Sequence, residues 1–537
     1  MTAKSAGSFV PSAPAASPKR SRRIYCILLL MTAALYYGRF IYSSSFKVEG
    51  RRYFCLMDDA MISMRYANHL ASGSGLTWNP GEAPVEGFSN PAWVFLMALF
   101  HFFPIPPEMM SLCIQVCGAL LLIVNLFLVG AVARRLAPGR ILPEALSVVL
   151  TFAYLPLTVS AQEGLEQCLA VVLISWAMLE AMKGLDEGRM NLRVYLIMGC
   201  ALWVRMDLLI PLLVIWLVLM RGDAARRRAH FIAGAGAAMI SLGMQTAARL
   251  LYFGQWLPNT YYLKMTGYPL LLRFSRGGLD FLFFLWSLNP LLVILAFVVV
   301  RPWRSMRTAL LAALPAGQIV YHIYVGGDIV LSRFLVIAVP AFFILLSLAI
   351  GQLVREGAGG SRRWLKMGGM ALIPVALLAS GGIHDMETAR LWLGDPEAFA
   401  AQPLVHDNSQ HVRRALEVGR LIMPGARVAV TWAGVQGYFI HAPVIDLLGI
   451  NDPVIARLPA RVPEGSRRWT AYYPGHMKWD YAHSIGDLRP DVILEFWGES
   501  AEIAPYFERD YKAVNLWEYP MWVRCDSPHI RRGMLQP

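Results

Sequence analysis

The sequence predicts a mainly helical, polytopic membrane protein followed by a smaller soluble α/β domain, and three observations lead to that reading. Of 537 residues, 56% are hydrophobic and only 16% are charged, so the chain carries more apolar surface than a soluble core uses. Apolar runs of roughly twenty residues, the length that crosses a hydrocarbon core, recur through the first two thirds and stop near Ile383. Short arginine clusters punctuate these runs, the arrangement by which a polytopic protein fixes its orientation. The formal charge of +13 is thereby accounted for, and nucleic acid is not an expected partner.

Residues 1–23 read as a disordered, basic cytoplasmic tail ending in Lys19-Arg20-Ser21-Arg22-Arg23, and the apolar run Ile24–Leu35 as a signal anchor, because no small-x-small cleavage site follows it. With that tail inside, residues 43–110 form a first outer loop, and Ser111–Ala133 returns the chain to Arg134-Arg135. Spans near Pro143–Ser160 and Leu165–Lys183 follow. Two short helices then flank Arg205-Met206-Asp207. Further spans near His230–Leu250, Leu279–Val300, Thr308–Val325, Arg333–Val354 and Met367–Ile383 complete about eleven. Every basic cluster then lies inside, provided that Ser89–Phe103 does not span.

Residues 24–384 thus form the expected transmembrane domain of a multi-pass plasma (inner) membrane protein with a cytoplasmic N-terminus. Residues 385–537 form a periplasmic or extracellular domain with β-rich runs at Ala426–Trp432, Val444–Leu448 and Asp491–Phe496. The aromatic segment Trp469–Tyr481 either stacks on sugar rings or packs against the membrane domain. Cys55 and Cys525 fall on one side of the membrane, where a disulfide between them is open.

The first outer loop carries the residues best suited to chemistry. Cys55–Leu70 reads as an amphipathic helix ended by Ser72-Gly73-Ser74-Gly75. Met57, Met61, Met64 and Ala71 share a face for the bilayer surface, while Asp58, Ile62, Arg65 and His69 look toward the protein. The Asp58-Asp59 pair either caps the helix and complements its dipole, or supplies a general base to an attacking hydroxyl. Adjacent helical residues point about 100° apart, so one carboxylate is the expected base and the other its support. Their like charges push at least one pKa upward.

A departing phosphate needs cations, and Arg65, Arg205, Lys264, His322 and Arg333 lie on the same face. Arg333 has a second expected partner in Asp328, and Arg205 in Asp207. The sequence holds no Gly-rich phosphate loop, zinc spacing or nucleophile elbow.

The run Asp58-Asp59-Ala60-Met61-Ile62-Ser63-Met64-Arg65-Tyr66-Ala67, continued by Gly75-Leu76-Thr77-Trp78-Asn79-Pro80-Gly81 and Val85-Glu86-Gly87-Phe88-Ser89-Asn90-Pro91, resembles multispan glycosyltransferases of the GT-C type. Further matches are Pro258-Asn259-Thr260-Tyr261-Tyr262-Leu263-Lys264, Gly326-Gly327-Asp328 with Arg333-Phe334, and Gly475-His476-Met477-Lys478-Trp479-Asp480. Among these enzymes the chain looks most like the mycobacterial terminal arabinofuranosyltransferases, which use decaprenyl-phosphate arabinose.

The resemblance implies a polyprenyl-phosphate sugar donor, a pentose as one candidate sugar, and a cell-envelope glycan or lipid acceptor. It further implies inverting transfer with Asp58 or Asp59 as base, Asp58 preferred. His69, Asn259, Tyr261, Asp328, His476 and Lys478 become expected substrate contacts. Some relatives also use a divalent cation such as magnesium or manganese beside such acids, although no metal ligand set is evident here. A lipid-linked sugar transporter or flippase, a non-catalytic scaffold, and an oligosaccharyl or protein glycosyltransferase of the same fold are the alternatives. The first two leave the aspartate pair without a chemical task.

Overall fold

The computed structural model describes residues 18–328, 333–356, 363–381, 389–391, 393, 395, 397–398, 402–462, 472–516 and 519–535. The tail before Pro18, Arg362, Ile383 and Trp469 lie outside the described residues.

The apolar runs fold as helices: α1 (Pro18–Ser43), α2 (Asp58–Ala71), α3 (Pro91–His101), α4 (Pro107–Leu136), α5 (Ile141–Ala153), α6 (Leu155–Gln162), α7 (Gln167–Glu187) and α8 (Arg193–Val204). The series continues with α9 (Leu209–Gly222), α10 (Arg227–Phe253), α11 (Asn259–Met265), α12 (Leu270–Ser287), α13 (Pro290–Val300), α14 (Met306–Val325), α15 (Val339–Glu356) and α16 (Arg363–Gly381). Among the described residues, seven helices are long and apolar enough to cross a bilayer, and the bent pairs α5–α6 and α12–α13 raise the number to nine. The chain is a multi-pass membrane protein.

Local chemistry explains the departures from straight spans. The segment expected as one span from Leu279 begins earlier, at Leu270, and turns by 78° before Pro290. A proline there has no N–H to continue the ladder, and Asn289, at φ 63°, accepts from the Leu291 N–H at 3.1 Å. α8 and α9 part at Arg205-Met206-Asp207 as the charges in that apolar run predict, and each alone reaches about 20 Å, short of a core of roughly 30 Å. α3, with 11 residues, is likewise too short to cross, in keeping with the charge bias.

The C-terminal region opens with α17 (Pro403–Leu421) and builds a five-stranded sheet. Two short strands, β1 (Phe46–Val48) and β2 (Arg51–Tyr53), pair ahead of α2. The sheet then takes β3 (Val428–Val430), β4 (Val444–Asp446), β5 (Val492–Ile493), β6 (Tyr511–Leu516) and β7 (Tyr519–Arg524), in the order β4-β3-β5-β7-β6. β3 runs parallel to both β4 and β5, whereas β7 pairs antiparallel with β5 and β6. The three expected β-rich runs are β3, β4 and β5. Cys55 and Cys525 are both free thiols.

The sheet region docks on α2 through α18 (Ala433–Phe439). The methionine face of α2, expected on lipid, is buried inside the protein instead: Met61 and Met64 are 0% exposed, and Ser111 of α4 approaches the Met61 sulfur at 3.6 Å. Arg65, expected at a phosphate, is buried in the seam instead. It donates to the carbonyls of Trp78, Ile440 and Ala442 at 2.9, 3.2 and 3.1 Å, and also to Gly437 and to Asn79. A guanidinium so used satisfies loop and helix-end carbonyls that water no longer reaches. Asp58 closes the other end of the seam, accepting from the Gly434 and Val435 N–H groups at 3.1 and 2.8 Å. Burial pushes its carboxyl up to about 7 against those two bonds, and the nearby Asp59 and Asp446 add to the rise.

Two outcomes test this seam. A Cβ on Gly434 would stand 1.8 Å from the Asp58 carbonyl oxygen, so Gly434→Ala should lower stability by about 1–3 kcal/mol, read as a fall in the thermal unfolding midpoint in detergent. Because the folded pKa of Asp58 lies above its unfolded value near 4, its contribution is full below about pH 4 and lost as pH rises through 7. Asp58→Asn should therefore flatten the stability profile between those limits; an unchanged slope would remove the titration from Asp58.

Candidate functional site

The seam fixes the helix face that Asp58 uses, and the next residue looks elsewhere. Asp59 borders a cleft of about 1020 Å³ that also takes in Arg205, Tyr261, Lys264, Asp328 and Arg333. The cleft lies where α2, the loop 87–90, the α8–α9 break, α11 and the turn after α14 meet. That turn depends on Gly326 and Gly327, at φ 94° and 78°, and a side chain on Gly326 would collide with Tyr472. It delivers Asp328 to the cleft wall.

Arg333 is the hub. Its guanidinium lies 2.9 Å from Asp59 Oδ2, 3.4 Å from Glu166 Oε1 and 3.6 Å from Asp328 Oδ2. Glu166, 1% exposed, also takes Arg205 Nη1 at 2.5 Å and the Asn90 amide at 2.8 Å. Arg205 Nε reaches back to Asp207 at 2.8 Å, so the break residues serve both as an internal ion pair and as cleft wall. Lys264 Nζ stands 3.7 Å from Asp59 Oδ2.

Burial alone would raise the Asp59 carboxyl, yet Lys264 and Arg333 hold it well below the usual carboxylate range. Glu166 follows the same logic: burial opposes its charge, and Arg205 and Arg333 prevail to keep its pKa low. In these two neighbours the acids are ionised and each is matched by cations, which is the condition under which charges persist in so enclosed a place.

A second cleft, of about 620 Å³, shares Asp59, Lys264 and Asp328 with the first and opens between α2 and the sheet region. Asp58, Thr431, Trp432, Tyr473 and His476 border it. Burial pushes the His476 imidazole down to about 4, with Lys264 adding in the same direction, so the ring is neutral at ordinary pH. Asp59 therefore sits on the wall between two openings, with its side chain 31% exposed.

Of the residues singled out in the sequence, the structure gathers Asp59, Arg205, Tyr261, Lys264, Asp328, Arg333 and His476 around these clefts. It sends others to structural tasks. Arg65 belongs to the seam, and His69 has Nδ1 at 2.9 Å from the Thr77 carbonyl. His322 is 0% exposed against Asp280 at 3.0 Å, inside the bundle and away from both clefts. Asn259 donates to the carbonyls of Gly449 and Ile450, each at 3.0 Å, and Lys478, fully buried, to those of Tyr262 and Ala456, each at 2.9 Å. Both thereby tie α11 to the sheet region rather than facing an opening.

Glu166 was the residue that sequence reasoning passed over. Its signal was a carboxylate at the second position of the expected span Leu165–Lys183. The acids present do not fit a divalent cation: Asp58 is spent on backbone N–H groups, and Asp59, Asp328 and Glu166 are all turned on Arg333. Among the described residues no group of His, Cys, Asp and Glu is arranged to hold a metal ion.

Comparison with known proteins bears on the fold. Residues 403–532 match a family model described as a domain of unknown function, DUF8728. No curated protein matches the chain. The crystal structure of ArnT from Cupriavidus metallidurans bound to undecaprenyl phosphate is similar over 96% of this chain and 99% of its own, with a TM-score of 0.61 at 12% identity. The oligosaccharyltransferase of Archaeoglobus fulgidus, tethered to an acceptor peptide, is similar over 95% of this chain and 75% of its own, with a TM-score of 0.52 at 10% identity. The multi-pass helical bundle and the sheet-bearing region that follows it give this chain the polytopic GT-C fold.

Proposed function

We propose that the chain is a membrane glycosyltransferase that moves a sugar from a polyprenyl-phosphate donor to a cell-envelope acceptor with inversion at the anomeric carbon. The observation that carries this reading is the placement of Asp59 on the wall shared by two clefts, with Arg333 and Lys264 at its carboxylate. The fold shared with a structure that holds undecaprenyl phosphate supports the choice of carrier. The likeness to arabinofuranosyltransferases supports a pentose as the sugar moved.

The donor phosphate occupies the first cleft, where Arg333, Arg205 and Lys264 meet the charge that grows on it as the glycosidic bond breaks. The acceptor hydroxyl attacks the anomeric carbon from the opposite side, and Asp59 takes its proton. Polyprenyl phosphate leaves. In the absence of donor the two cations keep Asp59 a poor base. A bound phosphate shares those cations, which restores basicity to Asp59 at the moment a substrate is present. Glu166 and Asp328 position Arg333 between the two anions.

Residues 24–384 are the membrane-embedded part on this reading and 385–537 the outer domain. The N-terminus is cytoplasmic, and both clefts open on the periplasmic or extracellular side. The arginine clusters of the intervening loops support that orientation.

Purified protein offered a panel of labelled polyprenyl-phosphate sugars and envelope acceptors should show transfer. Asp59→Asn should lower kcat about 10²–10⁴-fold with its unfolding midpoint preserved, while Asp58→Asn retains most of the rate. Full activity in Asp59→Asn would remove the base from this position, and full loss in a well-folded Asp58→Asn would move it next door.

A further inference from the structure

The second cleft is built differently from the first. Its sheet-side wall is aromatic, with Trp432, Tyr473 and His476 bordering it; Trp497 packs on them, nearly parallel to Tyr473 at 8° and 6.0 Å between centroids and edge-on to Trp432 at 6.2 Å. His476 completes the group at 4.6 Å from Tyr473 and 5.1 Å from Trp497. A packing cluster would be sealed, yet Tyr473 is 39% exposed, and Trp432, His476 and Trp497 are only half-buried. Thr431, 4% exposed and bordering the same cleft, has a buried Oγ1 with no hydrogen-bond partner among the described residues.

Charge separates the possible occupants. Among the described lining residues Lys264 is the cleft's one cation, set against the carboxyl groups of Asp58, Asp59, Asp328 and Asp446. His476 is neutral. An anionic headgroup therefore meets a surplus of acids here, whereas a ring of C–H groups edged by hydroxyls finds aromatic faces, an imidazole and an unsatisfied hydroxyl.

We propose that this cleft is the acceptor site and that it takes a neutral glycan, with sugar rings laid on Trp432 and Tyr473 and a hydroxyl bonded to Thr431. The assignment rests on the transferase reading, because it supplies the nucleophile that reaches Asp59 from the side opposite the donor. It also gives a task to the region matched by a family model that names none.

The probe is the mixture of neutral glycan fragments released from the envelope of cells that make the protein, added without donor to the full-length chain in detergent. Tryptophan fluorescence should change saturably. Trp432→Ala and Tyr473→Ala should each weaken binding up to about tenfold at an unchanged unfolding midpoint, and Trp432→Phe should restore most of it. Polyprenyl monophosphate should bind both alanine variants like wild type. Absence of saturable binding to wild type, or wild-type affinity in both alanine variants, would overturn the assignment. Saturable glycan binding in a protein that transfers no sugar would sink the transferase reading alone. Transfer to a lipid or peptide with no glycan binding would sink this one alone.

Discussion

Two neighbouring residues on a helix cannot face the same way, and the site depends on that constraint. Asp58 and Asp59 open α2 about 100° apart, so when Asp58 is drawn onto the Gly434 and Val435 N–H groups, Asp59 is turned into the gap between the helical bundle and the sheet region. Arg65, two turns along, locks the same face through carbonyls on both sides of the seam. The interface that joins the two regions is thus also the device that aims the carboxylate.

Around Asp59 the protein gathers charges that an enclosed site tolerates only as matched sets. Arg333 binds three carboxylates contributed by α2, the start of α7 and the turn after α14, so one guanidinium joins elements far apart in the chain. Such a hub is rigid while every acid is paired and responsive once another anion enters, since a phosphate competes for the same donors. The low proton affinity of Asp59 in this arrangement fits a base that works only with donor bound.

Much of this was legible in the sequence. Hydropathy and arginine placement gave the helices and the non-spanning α3, and the broken run at Arg205 was visible because charges interrupt a long apolar stretch. Asp59, Lys264, Arg333 and Asp328 could be named because polar residues next to apolar spans are few. The division of labour between Asp58 and Asp59 was not legible, because α18 lies some 375 positions away and leaves no mark on the periodicity of α2. For the same reason Arg65, Asn259 and Lys478 looked like ligands for substrate: a buried cation or amide that caps carbonyls has the same composition signature as one that binds a phosphate. The β6–β7 hairpin went unread because Lys512, Asn515 and Pro520 dilute its alternation.

The most direct test of the account is an experimental structure of the full chain with polyprenyl monophosphate bound. The phosphate should lie in the first cleft, within hydrogen-bonding reach of Arg333 and Lys264, with Asp59 released from at least one of them. A phosphate seated in the aromatic second cleft, or one that leaves the Asp59–Arg333 pair untouched, would contradict it.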